Sequence, residues 1–413
     1  MAPTRVLLIP SSDYLGHPFP QRHNHIFERI HDGKEFEVHI VRFQMYGEPK
    51  LSTRCIIHEI PHEVKIRIAA AYYLANAAQH AAEIYRIIKT ESIDVVVAGN
   101  LLPPLLYYLL AKLQEKKIPL IFDLQDYYPT SAAGYIADVS TTIGTSIKGL
   151  FEGVTQYIIR HADMVTTPGV ALAIYAREVG ARKVVIVPNG VSEHFLQRHD
   201  GGEIRRKLGY HDNDIVIGYV GSIEFWLDME PLIKAVARAQ KEQLPVKLLL
   251  IGKHLQTKYS KQVEKMIRQY GIAHNTAWLH FVPHEQIPKY IAAMNLATIP
   301  FDIYNPTAYY AAPNKLWEYL SQGVPVAATP IPEIVAYRHL VHVVKTAEDY
   351  YVTIMKVSKS WPRAPDIHQV LQERTWTKIA EKMKQLITIS KGRFNIYLSK
   401  SPATGTSADR NAQ

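Results

Sequence analysis

Short apolar segments alternate with helical segments along the whole chain, and this alternation restricts the fold more than any other feature. Segments rich in Val, Ile and Leu that alternate with helices are typical of parallel sheets covered by helices. The predicted strands lie at residues 5–10, 36–43, 94–99, 119–124, 162–168, 183–188, 215–221, 247–252, 278–283, 296–301 and 324–329. After the sixth strand the chain reads Pro-Asn-Gly at 188–190, which favours a turn. The sequence therefore predicts an α/β fold of two doubly wound, Rossmann-like domains whose parallel sheets face each other across a cleft.

The length of the chain also favours two domains. A chain of 413 residues is longer than one ordinary core supports. We predict an N-terminal domain at 1–188, a C-terminal domain at 189–373, and a C-terminal helix with its extension at 374–398. The last segment, 399–413, is rich in small and polar residues, which predicts a disordered tail.

Composition and charge exclude several classes of protein. The single cysteine, Cys55, excludes an internal disulfide and a cysteine-rich zinc site. The longest apolar segment, 101–113, is shorter than the roughly 20 residues that a membrane span needs. The net charge of +9 is compatible with a phosphorylated ligand or an anionic membrane surface. The sequence has no long run of Lys and Arg, which argues against nucleic acid as a ligand. We expect a cytoplasmic protein, with peripheral contact to the inner face of the membrane as an alternative.

The stretch PNKLWEYLSQGVPV at 313–326 contains the most informative charges. A helix that starts at Pro313 or Asn314 places Lys315 in its first turn, where a cation opposes the helix dipole. A bound anion would reverse the sign of this interaction, and Glu318, one turn later, is placed to accept hydrogen bonds from vicinal hydroxyls. The alternative is an exposed i, i+3 ion pair, which stabilises a helix by only about 0.2–0.5 kcal/mol.

A second candidate ligand contact is the glycine that ends the strand IVIGYVG. Gly221 and Ser222 follow this strand, and the next helix is predicted to begin at Asp228. A glycine at the carboxyl end of a strand lets a phosphate approach backbone amides. The stretch lacks the GxGxxG spacing, which argues against a nicotinamide-dependent dehydrogenase.

Four stretches of the chain resemble the retaining GT-B glycosyltransferases of the family 4 (glycosyl transferases group 1) type. They are VPNGVSEHF (187–195), IGYVGSIEFWLD (217–228), FVPHEQIPKYIAAMNLATIPF (281–301) and PNKLWEYLSQGVPVAATPIPE (313–333). Their order and spacing agree with the family, and ERTWTKIAEKMKQL (373–386) is similar to its closing helix. The first half of the chain is matched mainly by its strand pattern and by FDLQDYYPTSA (122–132). The resemblance implies a GT-B fold in which the C-terminal helix crosses back to the first domain.

This resemblance implies a donor site for a nucleotide-diphosphate sugar in the second domain. Lys315 would contact the diphosphate, Glu318 the ribose, and the backbone near Val282 the base. The implied donor-binding residues are Gly221, Ser222, Val282, Tyr310, Asn314, Lys315 and Glu318. Two positions depart from the family pattern. Its E-x7-E pair would need a carboxylate where Tyr310 stands, and the Arg and Lys that often follow the first strand of the donor domain are absent.

The resemblance also implies that the first domain supplies the acceptor side and the catalytic group. Gln125 and Asp126 follow a strand where family members often have a His-Asp or Gln-Asp pair facing the donor sugar. Asp126 is the candidate catalytic carboxylate, which would orient the acceptor hydroxyl or stabilise positive charge at the anomeric carbon. Asp123 is a second candidate, and the alternative for an Asp after a strand is a turn cap. The predicted acceptor side consists of His17, Arg22 and Gln125.

Three further patterns allow two interpretations each. Residues 23–25 read His-Asn-His, a spacing found in metal sites, but no carboxylate-rich partner accompanies them, so we predict no metal ligands. Trp226 would pack on a donor sugar or on its own helix. The tyrosine pairs at 107–108 and 127–128 would meet a lipid acceptor or pack in the core.

Together these features predict a glycosyltransferase of the hexosyltransferase type that needs neither a metal nor another cofactor. It would move a sugar from a nucleotide-diphosphate sugar to a glycan, a lipid-linked acceptor or another hydroxyl, and the resemblance to the family implies retention at the anomeric carbon. Two alternatives stay open. One is a nucleotide-sugar epimerase of the same architecture, and the other is a non-catalytic sugar-nucleotide-binding protein, which the missing carboxylate at 310 favours.

Overall fold

A computed structural model describes residues 2–17, 19–66, 69–99, 113, 115, 118–130, 141–252, 258–360 and 364–400. The tyrosine pair at 107–108 and residues 401–413 of the predicted tail lie outside these ranges. Residues 399 and 400 end the last helix, which extends two residues beyond the predicted helical extension.

The first half of the chain forms a seven-stranded parallel sheet in the order β3-β2-β1-β4-β5-β6-β7. Its strands are β1 Thr4–Ile9, β2 Phe36–Arg42, β3 Ile56–Glu59, β4 Val95–Ala98, β5 Leu120–Asp123, β6 Met164–Thr167 and β7 Val184–Ile186. The helices described in this half are α1 Arg22–Ile30, α2 Ala69–Ala75, α3 Ala77–Thr90, α4 Thr141–His161 and α5 Val170–Val179. Every predicted strand of this half has a counterpart in the sheet, whereas β3 is an addition.

The second half forms a six-stranded parallel sheet in the order β10-β9-β8-β11-β12-β13. Its strands are β8 Ile215–Val220, β9 Val246–Ile251, β10 Thr276–Leu279, β11 Leu296–Ile299, β12 Val326–Ala328 and β13 His342–Val343. Its helices are α6 Gly202–Lys207, α7 Glu230–Lys241, α8 Lys258–Gln269, α9 Ile287–Ala292, α10 Pro306–Tyr309, α11 Lys315–Ser321, α12 Pro332–Ala336, α13 Ala347–Ser360 and α14 His368–Glu373, and α15 Trp376–Lys400 follows them. None of the described helices combines the length and the apolar character that crossing a membrane requires.

The strand predicted at 278–283 is displaced in the structure. β10 begins at Thr276 and ends at Leu279, and Phe281, inside the predicted range, is 80% exposed. The apolar residues Phe281 and Val282 look like the continuation of a strand, but they follow its end.

Each sheet has a point at which the strand order reverses, between β1 and β4 in the first sheet and between β8 and β11 in the second. Ligands of open parallel sheets bind outside the carboxyl ends of the strands at such points. Gly221 and Ser222 follow β8 directly. The topology therefore places these two predicted residues at the ligand-binding edge of the second sheet.

The last helix, α15, crosses back to the first domain. Its side chains Trp376, Ile379, Met383 and Ile387 are buried in one cluster with residues of α1 and β1. This packing, together with the two parallel sheets, confirms the predicted fold of two Rossmann-like domains with a returning C-terminal helix. The first sheet ends at Ile186 and the second begins at Ile215, and the domain boundary at 188/189 stays a prediction.

Truncating Met383 tests the packing of α15 on the first domain. The Met383 side chain is fully buried, so Met383→Ala leaves a cavity and should lower the free energy of unfolding by about 2–5 kcal/mol. Urea unfolding followed by circular dichroism would measure the change. The exposed neighbour Lys382 provides the control, because Lys382→Ala should stay within about 0.5 kcal/mol of wild type. Equal stability of the two variants would contradict this packing.

Candidate functional site

A cleft of about 560 Å³ lies between the two domains. The first domain lines it with Arg22, Gln125 and Asp126, and the second domain with Asn314 and Glu318. Small-molecule sites typically measure about 300–1,000 Å³. The cleft thus has the size of a ligand site and brings together predicted residues from both halves of the chain.

Lys315 begins helix α11, and its ammonium lies among aromatic rings. Asn314 precedes it at the N-cap position and forms no side-chain cap. The Lys315 Nζ is 4.9 Å from the centroid of the Phe301 ring and 5.2 Å from that of Tyr219. A Cβ atom added to Gly221 would lie 3.2 Å from this Nζ, so the predicted lysine and glycine are neighbours. Burial lowers the pKa of Lys315 to about 8.

The carboxyl end of β8 requires glycine at two facing positions. Gly221 has a φ of 138° and Gly252, after β9, a φ of 159°, values that other residues rarely adopt. A Cβ atom on Gly252 would lie 1.9 Å from the carbonyl oxygen of Gly221. Ser222 is exposed next to this contact, and its carbonyl accepts a hydrogen bond of 3.0 Å from the Tyr219 hydroxyl. The backbone at Gly221 and Ser222, next to Lys315, is therefore fixed by these contacts. Because Gly221 has no Cβ atom, no side chain covers this backbone at that position.

Glu318 lies one turn after Lys315 and lines the cleft. Both side chains are half-buried, and burial raises the pKa of the Glu318 carboxyl to about 7. Within the described ranges, no ion pair joins the two side chains, and no other group forms a hydrogen bond or an ion pair with either of them. The exposed i, i+3 ion pair that the sequence leaves open as an alternative is not formed.

A buried ion pair between Arg22 and Asp123 organises the first-domain side of the cleft. The Arg22 Nε lies 3.0 Å from Asp123 Oδ2, and the Arg22 Nη2 donates to Oδ1 at 3.2 Å. Thr166 donates to the same carboxylate at 2.7 Å, and His23 Nε2 lies 3.1 Å from it. Burial alone would raise the pKa of Asp123, but the charge of Arg22 and the hydrogen bond with His23 hold it well below its usual range.

Arg22 also connects α1 to the segment that leaves the first sheet. Its guanidinium donates to the carbonyl oxygens of Val187 at 2.8 Å and Pro188 at 3.0 Å, and to Asn189 Oδ1 at 3.0 Å. The Asn189 amide in turn donates to the carbonyl of Ala312, in the second domain, at 3.4 Å. Arg22, predicted on the acceptor side, therefore lines the cleft and links the first helix to the segment that leads to the second domain.

Gln125 and Asp126 follow β5 and reach the cleft. The Gln125 Nε2 donates to Asp123 Oδ2 at 3.1 Å and lies 2.6 Å from His23 Nε2. The Asp126 side chain is exposed to the cleft, and desolvation by the surrounding walls raises its pKa. Asp123, the second catalytic candidate, is fully buried and paired with Arg22. It therefore acts on the cleft through the groups that it positions.

The predicted histidines point in different directions. His17 Nδ1 lies 2.9 Å from a backbone carbonyl of its own loop, and His17 is not among the residues that line the cleft. His23 faces Asp123, whereas His25 stacks on Trp376 with ring centroids 4.5 Å apart and lines the cleft. Burial lowers the pKa of His25 to about 4. In the part of the chain that the structure describes, no three His, Cys, Asp or Glu side chains are grouped as metal ligands.

Tyr310 faces the first domain. Its ring stacks on Tyr127 at a centroid distance of 4.6 Å and lies 5.5 Å from that of Tyr175. Tyr127 is buried with the core of the first domain, which favours the core-packing interpretation for this residue. Trp226 and Val282 pack as half-buried side chains against the core of the second domain.

The sequence did not indicate several residues that line the cleft. His194 and His284 lie there with ring centroids 4.7 Å apart, and Arg29 of α1 forms an ion pair of 3.6 Å with Glu193. Both histidines belong to short 3₁₀ turns. Such turns have no apolar periodicity, so no local pattern marks these residues, and only their position inside two of the stretches that resemble the family could have suggested them.

Comparisons with protein families agree with this architecture. The family model described as Glycosyltransferase Family 4 matches residues 28–195, and the one described as Glycosyl transferases group 1 matches residues 200–361. The two models meet near the connection between the sheets. Each therefore corresponds to one of the two Rossmann-like halves.

A curated relative and two solved structures are similar to the chain. An uncharacterized glycosyltransferase of Methanocaldococcus jannaschii is 25% identical over 153 residues, so the match spans 36% of this chain and 37% of the length of that relative. Sucrose-phosphate synthase from Thermosynechococcus elongatus has a TM-score of 0.70 at 15% identity, covering 96% of this chain and 100% of that one. The Anabaena protein HepE in complex with UDP and glucose has a TM-score of 0.60 at 16% identity, covering 96% and 99%. These likenesses confirm the predicted GT-B fold.

Neutralising Asp123 tests the buried ion pair. Asp123→Asn keeps the size of the side chain but leaves the Arg22 charge without a counterion, which should cost about 3–5 kcal/mol at neutral pH. The folded pKa of Asp123 lies below its ordinary value of 3.8. The wild-type contribution is therefore complete above that value and is lost as the pH falls below it.

Urea unfolding from about pH 7 to about pH 3 would measure this dependence. The stability difference between wild type and Asp123→Asn should be largest at neutral pH and shrink below about pH 4. Asp212→Asn, at an exposed carboxyl, is the matched control and should follow wild type throughout. A difference that stays constant over this range would mean that folding does not lower the pKa of Asp123.

Proposed function

Because this chain belongs to the GT-B glycosyltransferases of the family 4 (glycosyl transferases group 1) type, we propose that it transfers a sugar from a nucleotide-diphosphate sugar to a hydroxyl acceptor. The observation that carries this proposal is the pair Lys315 and Glu318. Both are half-buried and lack a hydrogen-bond or ion-pair partner among the described residues. Unpaired polar groups that are partly removed from water are unfavourable. A cation and a carboxylate on one helical turn suit a ligand that has both a diphosphate and vicinal hydroxyls.

The donor would lie along the second domain. The Lys315 ammonium would pair with the diphosphate, whose other oxygens would meet the backbone amides of Gly221 and Ser222. Glu318 would accept hydrogen bonds from the ribose, and the segment near Val282 would meet the base. The similarity to HepE, solved with UDP and glucose, supports a uridine nucleotide as the first donor to test.

The acceptor would approach from the first domain. Asp126 would orient the attacking hydroxyl or stabilise positive charge at the anomeric carbon. The bond from this carbon to the diphosphate oxygen breaks while a bond to the acceptor oxygen forms, and the proton of the acceptor hydroxyl passes to the leaving diphosphate. Lys315 stabilises the charge that develops on the diphosphate. We propose a hexose as the transferred sugar, retention at the anomeric carbon and no requirement for a metal, as membership of the family implies.

Thermal-shift screening of nucleotide sugars, beginning with UDP-glucose, tests the proposed function, because a ligand that binds the folded state raises the melting temperature. Donors that stabilise the protein would then be incubated with candidate acceptors, and nucleotide release would be followed. Release that depends on an acceptor supports transfer. A changed sugar without an acceptor would indicate an epimerase, and binding without any product would indicate a sugar-nucleotide-binding protein. The absence of stabilisation by every nucleotide sugar would overturn the proposal.

The pKa values of Lys315 and Glu318 predict a narrow pH range for nucleotide binding. Burial places the lysine near 8 and the carboxyl near 7, and binding requires both groups in their charged forms. The affinity for UDP should therefore rise as the pH increases through about 7 and fall above about 8. Isothermal titration of UDP between about pH 6 and pH 9 would measure this profile.

Variants test which residue causes the rise of UDP affinity near about pH 7, the acidic limb of the profile, and which causes the fall above about pH 8, the alkaline limb. Lys315→Ala should weaken UDP binding by about tenfold or more, and Glu318→Gln should remove the acidic limb while retaining the alkaline one. The exposed Lys241 provides the matched control, since Lys241→Ala should bind UDP as wild type does. Wild-type affinity in both Lys315→Ala and Glu318→Ala, with intact folding, would show that the donor site lies elsewhere.

A further inference from the structure

The connection from β11 to α11, residues 300–314, is a loop that contains the short helix α10. This loop belongs to the second domain but contacts the first. Tyr310 in this loop stacks on Tyr127 with ring planes 26° apart. Two residues later, Ala312 packs so closely that a Cβ atom added to Gly169, at the start of α5, would lie 2.8 Å from the Ala312 Cβ. The segment directly before Lys315 is therefore held by the first domain at two positions.

The Tyr127 ring is fixed within the first domain. Its hydroxyl donates to Glu152 Oε1 at 2.8 Å, and its ring meets Tyr175 edge-on at a centroid distance of 5.4 Å. Tyr310 adds a third ring to this pair. Offset-stacked and edge-to-face arrangements are the favourable geometries for aromatic rings, so the three tyrosines form an aromatic cluster that spans both domains.

A second contact closes the same interface. The Glu333 carboxylate of α12 accepts a hydrogen bond of 2.9 Å from the backbone N–H of Val170, the first residue of α5. Glu333 is buried, and a Cβ atom on Gly169 would lie 2.5 Å from its Oε2. The interface next to Tyr310 therefore leaves no room for an additional side-chain atom at position 169.

We propose that Tyr310 is a positioning residue that sets the donor diphosphate against Asp126. Tyr127 directly follows Asp126, and Tyr310 lies in the loop that ends at Lys315. The stacked rings therefore join the segment that holds the catalytic candidate to the segment that holds Lys315, the proposed contact of the diphosphate. This inference rests on the proposed function, because it concerns the relative position of two groups of that site.

Three variants distinguish the effect of the Tyr310 ring from that of its hydroxyl and from the effect of removing any tyrosine ring from this loop. Tyr310→Phe keeps the stacked ring and Tyr310→Ala removes it. Tyr304→Ala, the matched control, removes a ring of the same loop that is 89% exposed. The kcat and KM of nucleotide release would be measured with a donor and an acceptor found by screening, and UDP affinity by titration.

We expect Tyr310→Ala to lower kcat by about 10- to 100-fold, because small displacements of reacting groups have effects of this size. Its UDP affinity should stay within about threefold of wild type, since the nucleotide contacts of the second domain remain. Tyr310→Phe and Tyr304→Ala should retain kcat within about twofold. Rescue by Phe together with loss of kcat at constant UDP affinity is a pattern that a general loss of stability would not give.

Gly169→Ala tests the same interface from the first domain. The backbone of Gly169 is extended, a conformation open to alanine, but the added Cβ would collide with Ala312 and Glu333. We expect the same loss of kcat with UDP affinity retained. This variant leaves all three tyrosines in place, so it tests the inference even where Tyr310→Ala does not fold.

Hydrogen exchange provides a readout that needs no turnover. Tyr310→Ala should speed the exchange of backbone amides at 125–130 and 170–179, because these segments contain Tyr127 and Tyr175, which lose their contact with the Tyr310 ring. A wild-type kcat in Tyr310→Ala, or a loss of UDP affinity with kcat retained, would overturn the inference. If the wild type released no nucleotide from any donor, the proposed function would fail instead. Unchanged exchange in Tyr310→Ala would then separately overturn positioning by Tyr310.

Discussion

The buried ion pair between Arg22 and Asp123 is the interaction on which the arrangement of both domains depends. Two charges removed from water are tolerated only when additional hydrogen bonds satisfy them, and Asp123 accepts one from Thr166 while Arg22 donates to oxygens of residues 187–189. Those residues begin the connection to the second domain, so the same guanidinium orients that connection. The Asp123 carboxylate also accepts a hydrogen bond from Gln125. The loop that follows β5 is therefore fixed at Gln125, where it enters the cleft.

Three further contacts place the second domain relative to this point. Gly190 packs on Trp376 so closely that an added Cβ atom would lie 2.5 Å from the indole Cδ2, and Val191 pairs with Thr375 as an isolated parallel bridge. The chain thus crosses between the domains at one place in two adjacent segments, first near Gly190 and again near Trp376. The stack of Tyr310 on the first domain is a separate contact. A rotation of one domain against the other about the double connection would have to break this stack and the hydrogen bond between Val170 and Glu333.

The sequence predicts the sheets well because both are parallel and covered by helices. Strands buried on both faces are continuous apolar runs, whereas Ile56 in the edge strand β3 is 37% exposed and β13 has two residues, so neither gives this signal. The proximity of Lys315 and Glu318 is predictable because their spacing within one helical turn is local. The pairing of Arg22 with Asp123 is not, because 101 residues separate them and an Asp after a strand has the same local pattern as a turn cap. The contacts of Tyr310 with Tyr127 and Tyr175 cannot be predicted either, because these residues are also far apart in the sequence.

The opposite pKa shifts of Lys315 and Glu318 describe a site that is incomplete without a ligand. Burial favours the neutral form of each group, which lowers the pKa of the lysine and raises that of the carboxyl. An ion pair between them would counteract both shifts, yet the two side chains form none. On the proposed function, a nucleotide diphosphate supplies an anion to the lysine and hydroxyl donors to the carboxylate, so binding stabilises both charged forms and the folded state with them. Ligands that lack either the diphosphate or the vicinal hydroxyls should recover only part of this stabilisation.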